Sequence, residues 1–338
     1  MYKRLLSLLI FSFALLQVAV SQELQRHTFQ SYHMGTQFNI VLYSADDSVA
    51  NIAAEEAFSR IEELNQIMSD YEPDSELNQL SRTSGSGQAV NVSDDLFKVL
   101  QESIRMGKLS DGLFDITVGP MSKFWRVVRM SPDPELPTDE ELRGLQQKVG
   151  YQYIRLDEED QTVELLQPGM QLDLGGIAKG YAAEEALAVL RRYGIERALI
   201  DAGGDVTLGD PPPGRNSWDV AVPKKQIDGK NQFITLEAAN QTVTTSGDLF
   251  QYVMIDGERY SHILNPKTGL GSTRQIQATV ISPDGMEADA LASVLTLMAP
   301  EEGIALINSL SQTEAILFLN KGGNILQRNS VGVGKFIK

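Results

Sequence analysis

From Tyr151 onward the chain is a series of short strand-like runs, several joined by turns too tight for a crossover, and this limits the possible folds more than any other feature. Tyr151 to Leu156 and Thr162 to Leu166 flank a polar turn, Tyr252 to Ile255 and Arg259 to Ile263 flank Asp256-Gly257, and Ala315 to Leu319 and Asn324 to Leu326 flank Gly322-Gly323. Asp-Gly and Gly-Gly pairs supply the positive φ angles of hairpin turns, so strands joined this way run antiparallel; parallel neighbours need a dozen or more residues between them. Ala198 to Ile200, Trp218 to Val222 and Phe233 to Leu236 also read as strands, as does the alternating run Gly35 to Tyr43. The expected class is α+β, mainly antiparallel sheets with flanking helices, and not a doubly wound parallel sheet.

Helical spacing of Ala54, Ala57, Phe58, Ile61, Leu64 and Met68 predicts a helix over Ser48 to Met68. Ser93, a good N-cap, opens a second reaching about Lys108, with Leu96, Val99, Leu100 and Ile104 inward. Thr138 and Glu141 have the spacing of a capping box for a third, ending near Gly150. Two more are expected at about Met286 to Met298 and Pro300 to Leu310. Ser131 to Pro137 and Pro211 to Asn216 read as surface loops, not interdomain linkers, and no internal repeat is visible. Residues 22–338 are therefore expected to form one catalytic unit.

The preceding residues 1–21 have the layout of a cleavable secretory signal: Lys3 and Arg4, an apolar run, then Ala19 and Ser21 before the cut. The rival, an uncleaved membrane anchor, needs a longer run. With no cysteine in the chain there is no lipobox lipid anchor, disulfide, thiolate chemistry or Cys-based metal site. The formal charge is −16, and −18 once Lys3 and Arg4 are lost. Such a surface repels nucleic-acid backbones and anionic lipids, so no nucleic-acid partner is expected. A phosphate compound could be held only by local devices: helix N-termini, a few Lys or Arg, or a bound cation.

One junction has that character. Gln171 to Leu190 (QLDLGGIAKGYAAEEALAVL) reads as a short apolar strand opening into a helix with Ala182, Ala186, Leu187 and Leu190 inward; Asp173, Gly175, Gly176, Lys179 and Gly180 lie at the joint. Glycines let a ligand approach the main chain and a helix's first turn favours an anion, but a tight turn alone explains them equally well. Lys179 precedes the last glycine and Tyr181 follows it, which is not a P-loop, and no GxGxxG occurs.

Other segments break the packing pattern. In Ser110 to Pro120 (SDGLFDITVGP) Asp111 reads as a turn residue, whereas Asp115 lies among apolar neighbours and needs a partner. The acids of LIDAGGDV, Leu199 to Val206, are either caps of a turn or site residues; Thr244 to Asp248 (TTSGD) offers hydroxyls or simply a Ser-Gly turn. His262, in SHILNPKTG, is either a structural residue or a base. Three histidines and no cysteine argue against zinc catalysis. Asp289 and Ser293 are one helical turn apart, hard oxygen ligands suited to Mg²⁺; alternatively Asp289 only favours a helix N-terminus.

Taken in order, MGT from Met34, MSDYEPDSELNQL from Met68, DGLFDITVGP from Asp111, DLGGIAKGYAAE from Asp173, DAGGD from Asp201, SHILNPKTG from Ser261 and EADALAS from Glu287 resemble the ApbE family, FAD:protein FMN transferases of the bacterial envelope. The resemblance covers nearly the whole mature chain and implies a T-fold-like architecture. It also implies a Mg²⁺-dependent enzyme, with Mn²⁺ equally hard, that splits FAD, releases AMP and links FMN to a Thr or Ser of an acceptor flavoprotein, such as an electron-transport subunit. Carried over by position, Met34, Tyr71, Leu113, Phe114, Asp115, Asp173, Lys179, His262 and Ile263 are expected to contact FAD, and Gly176, Asp289 and Ser293 to hold the metal. Gly176 could offer only its carbonyl, and some relatives have an acid in place of Lys179. Asp289 would stabilise the leaving AMP through the metal, and His262 or Asp248 would activate the acceptor hydroxyl. The rivals are a hydrolase giving FMN and AMP, and a non-catalytic envelope flavin carrier. Asp289, taken as a cleft acid, is expected to be dispensable for folding.

Overall fold

Eight strands make one sheet in the order Gln25–His33, Thr36–Ser44, Ala198–Ala202, Val206–Leu208, Thr242–Gly247, Ile276–Ser282, Glu314–Lys321 and Asn324–Asn329, each pair antiparallel. The computed structural model describes residues 23–224, 232–247, 251–322 and 324–338; the expected leader, Asp248 and Gly323 lie outside them. Among the described residues no helix is long and apolar enough to cross a membrane.

The sheet is buried on both faces because alternate side chains point to opposite sides. Phe38, Ile40, Leu42, Ala278, Val280 and Leu317 pack under the helices Asp47–Met68, Ala178–Arg192 and Gly285–Leu297. Their neighbours Val41, Ile281, Ile316 and Phe318 pack on the opposite face against the hairpin Trp218–Lys224 and Gln232–Ala238. A strand covered on both sides loses its alternation. All seven residues of Ile276–Ser282 are buried, and its pattern gives no sign of which face is which. Thr242–Gly247, of which the part from Thr244 offered either site hydroxyls or a Ser-Gly turn, is likewise a central strand. Thr242 Oγ1 lies 3.0 Å from Thr207 Oγ1, and Thr245 Oγ1 2.9 Å from Thr279 Oγ1, cross-strand pairs that satisfy the hydroxyls inside the sheet.

The helices follow their caps. Asp46 accepts from the N–H groups of Ser48 and Val49, so the helix opens at Asp47, one residue before the expected start, and Ser93 accepts from Leu96. Ala50, Ala53, Ala54 and Ala57 give the first long helix a smooth face against Ala182, Ala183 and Ala186 of the helix Ala178–Arg192. The capping box of Thr138 and Glu141 forms, but its helix stops at Gln146, and the following turn brings Val149 against the core around Trp125. The two C-terminal helices run Gly285–Leu297 and Pro300–Ser309.

Two helices were not expected. Gly119 and Pro120, read as the close of a β-branched run, instead open the helix Gly119–Met130, with proline in its first turn where no N–H is missed. Trp125 at its centre is fully buried, 5.8 Å from the Tyr260 ring, and donates its indole N–H to the Gly269 carbonyl at 2.8 Å. The strand Gln25–His33 and the helix Glu76–Arg82 were also unmarked in the sequence reading.

Candidate active site

The motif segments converge because small residues let their backbones touch. At the diglycine junction no strand forms: Asp173 donates its N–H to the Ile116 carbonyl, Gly175 donates to Asp173 Oδ1 at 2.9 Å, and the helix begins only at Ala178. Gly180 then lies against the start of the helix Gly285–Leu297, so close that a Cβ on Gly180 would overlap the Gly285 carbonyl oxygen. The third glycine is thus a packing requirement, and it brings two helix N-termini together. The first-turn amide of Gly180 donates to Asp289 Oδ2 at 3.2 Å, so a protein carboxylate occupies the direction in which the sequence reading placed a phosphate. A second close approach joins two further motifs, since a Cβ on Gly203, at φ +71°, would overlap Thr36 Oγ1. Met34, at φ +49°, forms with Gly35 the hairpin tip beside it.

These approaches open a cleft of about 800 Å³ whose lining includes Met34, Tyr71, Lys179, His262, Asp289 and Ser293. It shares Tyr71, Gly175, His262 and Ser293 with a narrower arm of about 270 Å³, lined in addition by Leu113, Phe114, Asp115, Asp173, Gly176 and Ile263. Every described site residue named from the sequence lines one space or the other. Asp248 lies outside the described residues.

The chemistry differs along the cleft. Asp289 is only 2% exposed, so the expectation that it is a dispensable cleft acid is corrected: it accepts from Gly180 inside the helix contact. Burial, aided by the nearby Asp205 and opposed by Lys179, pushes its carboxyl up to about 6. The Lys179 ammonium pairs with Asp205; burial opposes its charge, but Asp205 and Asp289 together hold its pKa above the usual lysine value. Two carboxylates and one ammonium leave one negative charge in excess, which a cation would neutralise. Ser293 Oγ is 3.3 Å from Ser246 Oγ, and a Cβ built on Gly176 would lie 3.6 Å from Ser293 Oγ, so the glycine leaves room beside that hydroxyl. One carboxylate, one hydroxyl and a main-chain carbonyl fit a hard cation that keeps water or phosphate ligands. Among the described residues no three His, Asp or Glu side chains cluster as a metal site of their own.

Asp115 finds the partner it needs, although not a cation. Oδ1 accepts from the Thr117 N–H at 2.9 Å and hydroxyl at 2.6 Å, and Oδ2 from the Tyr151 N–H at 2.8 Å. Its carboxylate braces the loop, while burial raises its pKa. His262 is half-buried, and its Nδ1 lies 3.1 Å from the Gln251 carbonyl oxygen, which also accepts the His262 backbone N–H. A carbonyl only accepts, so the neutral ring carries its proton on Nδ1 and Nε2 is its basic nitrogen.

Three charged residues of the narrow arm were not named from the sequence. Arg126 and Arg129 lie on the unrecognised helix Gly119–Met130, and Asp70 was quoted only as part of a motif. Arg126 donates to Asp70 Oδ2 at 2.5 Å, lies 3.8 Å from Asp173 Oδ2 and stacks 3.9 Å from the centroid of the Tyr71 ring, which is 72% exposed. A helical spacing test across Gly119 to Met130, with Met121, Trp125 and Val128 inward, would have exposed both arginines.

Residues 34–317 match the model of the ApbE family. The FAD:protein FMN transferase of Vibrio cholerae is 32% identical over 274 residues, covering 80% of this chain and 81% of the relative. That of Klebsiella pneumoniae is 30% identical over 302 residues, covering 89% and 91%. Among solved structures, the flavin transferase ApbE from Vibrio cholerae superposes with a TM-score of 0.84 at 28% identity, over 93% of this chain and 99% of that one. The ApbE protein of Thermotoga maritima gives 0.80 at 26% identity, over 93% and 100%.

Proposed function

Because the chain belongs to the ApbE family, we infer that it is a transferase that moves the FMN portion of FAD onto a partner protein, and that the cleft around Asp289 is where it does so. FAD is the substrate. The acceptor is the Thr or Ser hydroxyl of a flavoprotein such as an electron-transport subunit, met outside the cytoplasm after export by residues 1–21. What supports this reading of the site is the meeting of Gly176, Asp289, Ser293 and His262 in one connected cleft, from three separate motifs.

Asp289, the Ser293 hydroxyl and the Gly176 carbonyl would hold Mg²⁺, or the equally hard Mn²⁺, and the ion supplies charge neutralisation for a diphosphate. The chain's own groups do the rest. The acceptor oxygen bonds to the FMN phosphorus as the bond to the AMP oxygen breaks. His262 Nε2 takes the hydroxyl proton and AMP leaves with the electron pair; Asp248 is the second candidate base. Asp205 fixes Lys179 so that its ammonium stays beside Asp289. Tyr71 offers a ring face for stacking, Met34, Leu113, Phe114 and Ile263 exclude water from the walls, and Asp173 with Asp115 holds the loops that carry them.

Incubation with FAD, Mg²⁺ and a candidate acceptor, followed by a denaturing gel read for flavin fluorescence, tests the reading. A fluorescent acceptor band with one AMP released per flavin is expected. Rapid AMP release with no labelled acceptor would replace transfer by hydrolysis, and stoichiometric FAD binding without AMP would make the protein a carrier.

A further inference from the structure

Arg129 lines the narrow arm beside Arg126, yet its Nη1 is buried with no hydrogen-bond partner among the described residues, and no ion pair is formed by its guanidinium there. The contrast with Arg126, one turn earlier and bound to Asp70, is physical: two guanidinium groups share one helix face, and the available carboxylates are taken by the first. A buried N–H without an acceptor is costly, so Arg129 brings to the arm a donor that the described residues leave unused. The same arm is lined by the apolar side chains of Leu113, Phe114, Ile116, Val118 and Leu264, besides polar groups such as Ser122 and Gln251. A space of about 270 Å³ that mixes these apolar side chains with one unspent planar donor suits a single heteroaromatic ring system better than a whole dinucleotide or a hydrated phosphate.

We propose that Arg129 is a specificity-determining residue, donating from Nη1 to an acceptor edge, ring nitrogen or carbonyl oxygen, of the planar heterocycle that enters the arm. The assignment rests on the reading of FAD as substrate. FAD carries two such rings, the flavin and the adenine, and both present acceptor edges. The guanidinium's planar fork matches such an edge, whereas a lysine ammonium would supply only a point charge.

The test is calorimetric binding of FAD, riboflavin, adenosine and ADP to the intact protein, its Arg129→Gln variant and its Arg129→Lys variant, with a thermal melt of each. FAD should bind the Gln variant about tenfold more weakly or worse, as expected when a charged hydrogen-bond donor is removed. If the flavin enters the arm, riboflavin loses the same factor and adenosine none; if the adenine enters, adenosine and ADP lose it and riboflavin does not. The Lys variant, which keeps the charge if the Gln variant does not fold, should recover at most part of the affinity. Full affinity in the Lys variant overturns the edge assignment, as do losses confined to ligands with phosphate or unchanged binding of FAD to the Gln variant. A wild-type protein that binds no FAD would instead bring down the substrate reading, and this inference with it.

Discussion

The amide of Gly180 and the carboxylate of Asp289 meet at 3.2 Å where two helix N-termini cross, and this contact organises the cleft. Each helix end brings partial positive charge to the same carboxylate. Lys179, beside Gly180, adds a full charge that Asp205 holds in place. A side chain at position 180 would force the two helices apart and take Asp289 and Ser293, which share one helix, away from Gly176.

Gly180→Ala is accordingly expected to destabilise the fold by about 1–3 kcal/mol through overpacking. Equilibrium denaturation measures the loss, and transferase activity should fall further than stability alone accounts for, because Asp289 moves. A variant as stable and active as the parent would refute the packing role.

Asp289→Asn keeps the acceptor for the Gly180 amide but removes the charge. Metal-dependent release of AMP should drop below detection while circular dichroism shows a folded protein. Asp289→Ala should also lower the melting temperature, since it leaves the buried Gly180 N–H without a partner. Retained Mg²⁺-dependent turnover in the Asn variant would remove Asp289 from the metal site.

Metal affinity should depend on pH. With its carboxyl pushed up to about 6 by burial in the metal-free protein, Asp289 is largely protonated below that value and protons compete with the cation. Titration with Mn²⁺ from pH 5 to 8 should show affinity rising through about 6 and levelling above it. A flat profile would mean that another group carries the metal.

Glu184 gives a stability prediction away from the chemistry. It accepts the Gly285 N–H at 2.6 Å, and burial pushes its carboxyl up to about 7 from 4.5. The folded state therefore binds the proton more tightly than the unfolded chain, so this group's effect on stability becomes unfavourable as pH rises from about 4.5 to 7. Glu184→Gln keeps an acceptor and removes the charge, and should raise stability at pH 8 by roughly 1–2 kcal/mol, with little change at pH 4. Denaturant melts at the two pH values distinguish this from a uniform shift.

His262→Gln should leave FAD affinity near that of the parent and slow transfer by about 10²–10⁴-fold, the usual contribution of a positioned base. Isothermal titration and the in-gel assay read the two separately. Loss of binding with unimpaired transfer of the residual bound FAD would make His262 a contact and not a base.

Much of the fold was legible in the sequence because it is written in local terms. Ser93 and the pair Thr138 and Glu141 mark helix starts through their own side-chain hydrogen bonds, and Asp256-Gly257 adopts positive φ wherever it occurs. The strands Thr242–Gly247 and Ile276–Ser282 were not legible, since burial on both faces erases alternation and cross-strand hydroxyl pairs make a central strand look like a turn. The order of motifs likewise pointed to Asp289, Ser293, Gly176 and His262, residue types whose chemistry does not depend on their neighbours.

What only the tertiary structure decided is which groups those residues face. That Asp115 needs a partner follows from its apolar neighbours, but only the fold shows that Thr117 and Tyr151 close on both its oxygens. Gly180 looked like part of an anion cradle and is where two helices touch. Arg126 and Arg129 differ by three positions and one available carboxylate, a difference set by Asp70 across the cleft. A sequence fixes propensities over a few residues through steric and hydrogen-bonding rules, whereas the charge, burial and pairing of a side chain are set by segments far away along the chain, and those exist only once the backbone has closed.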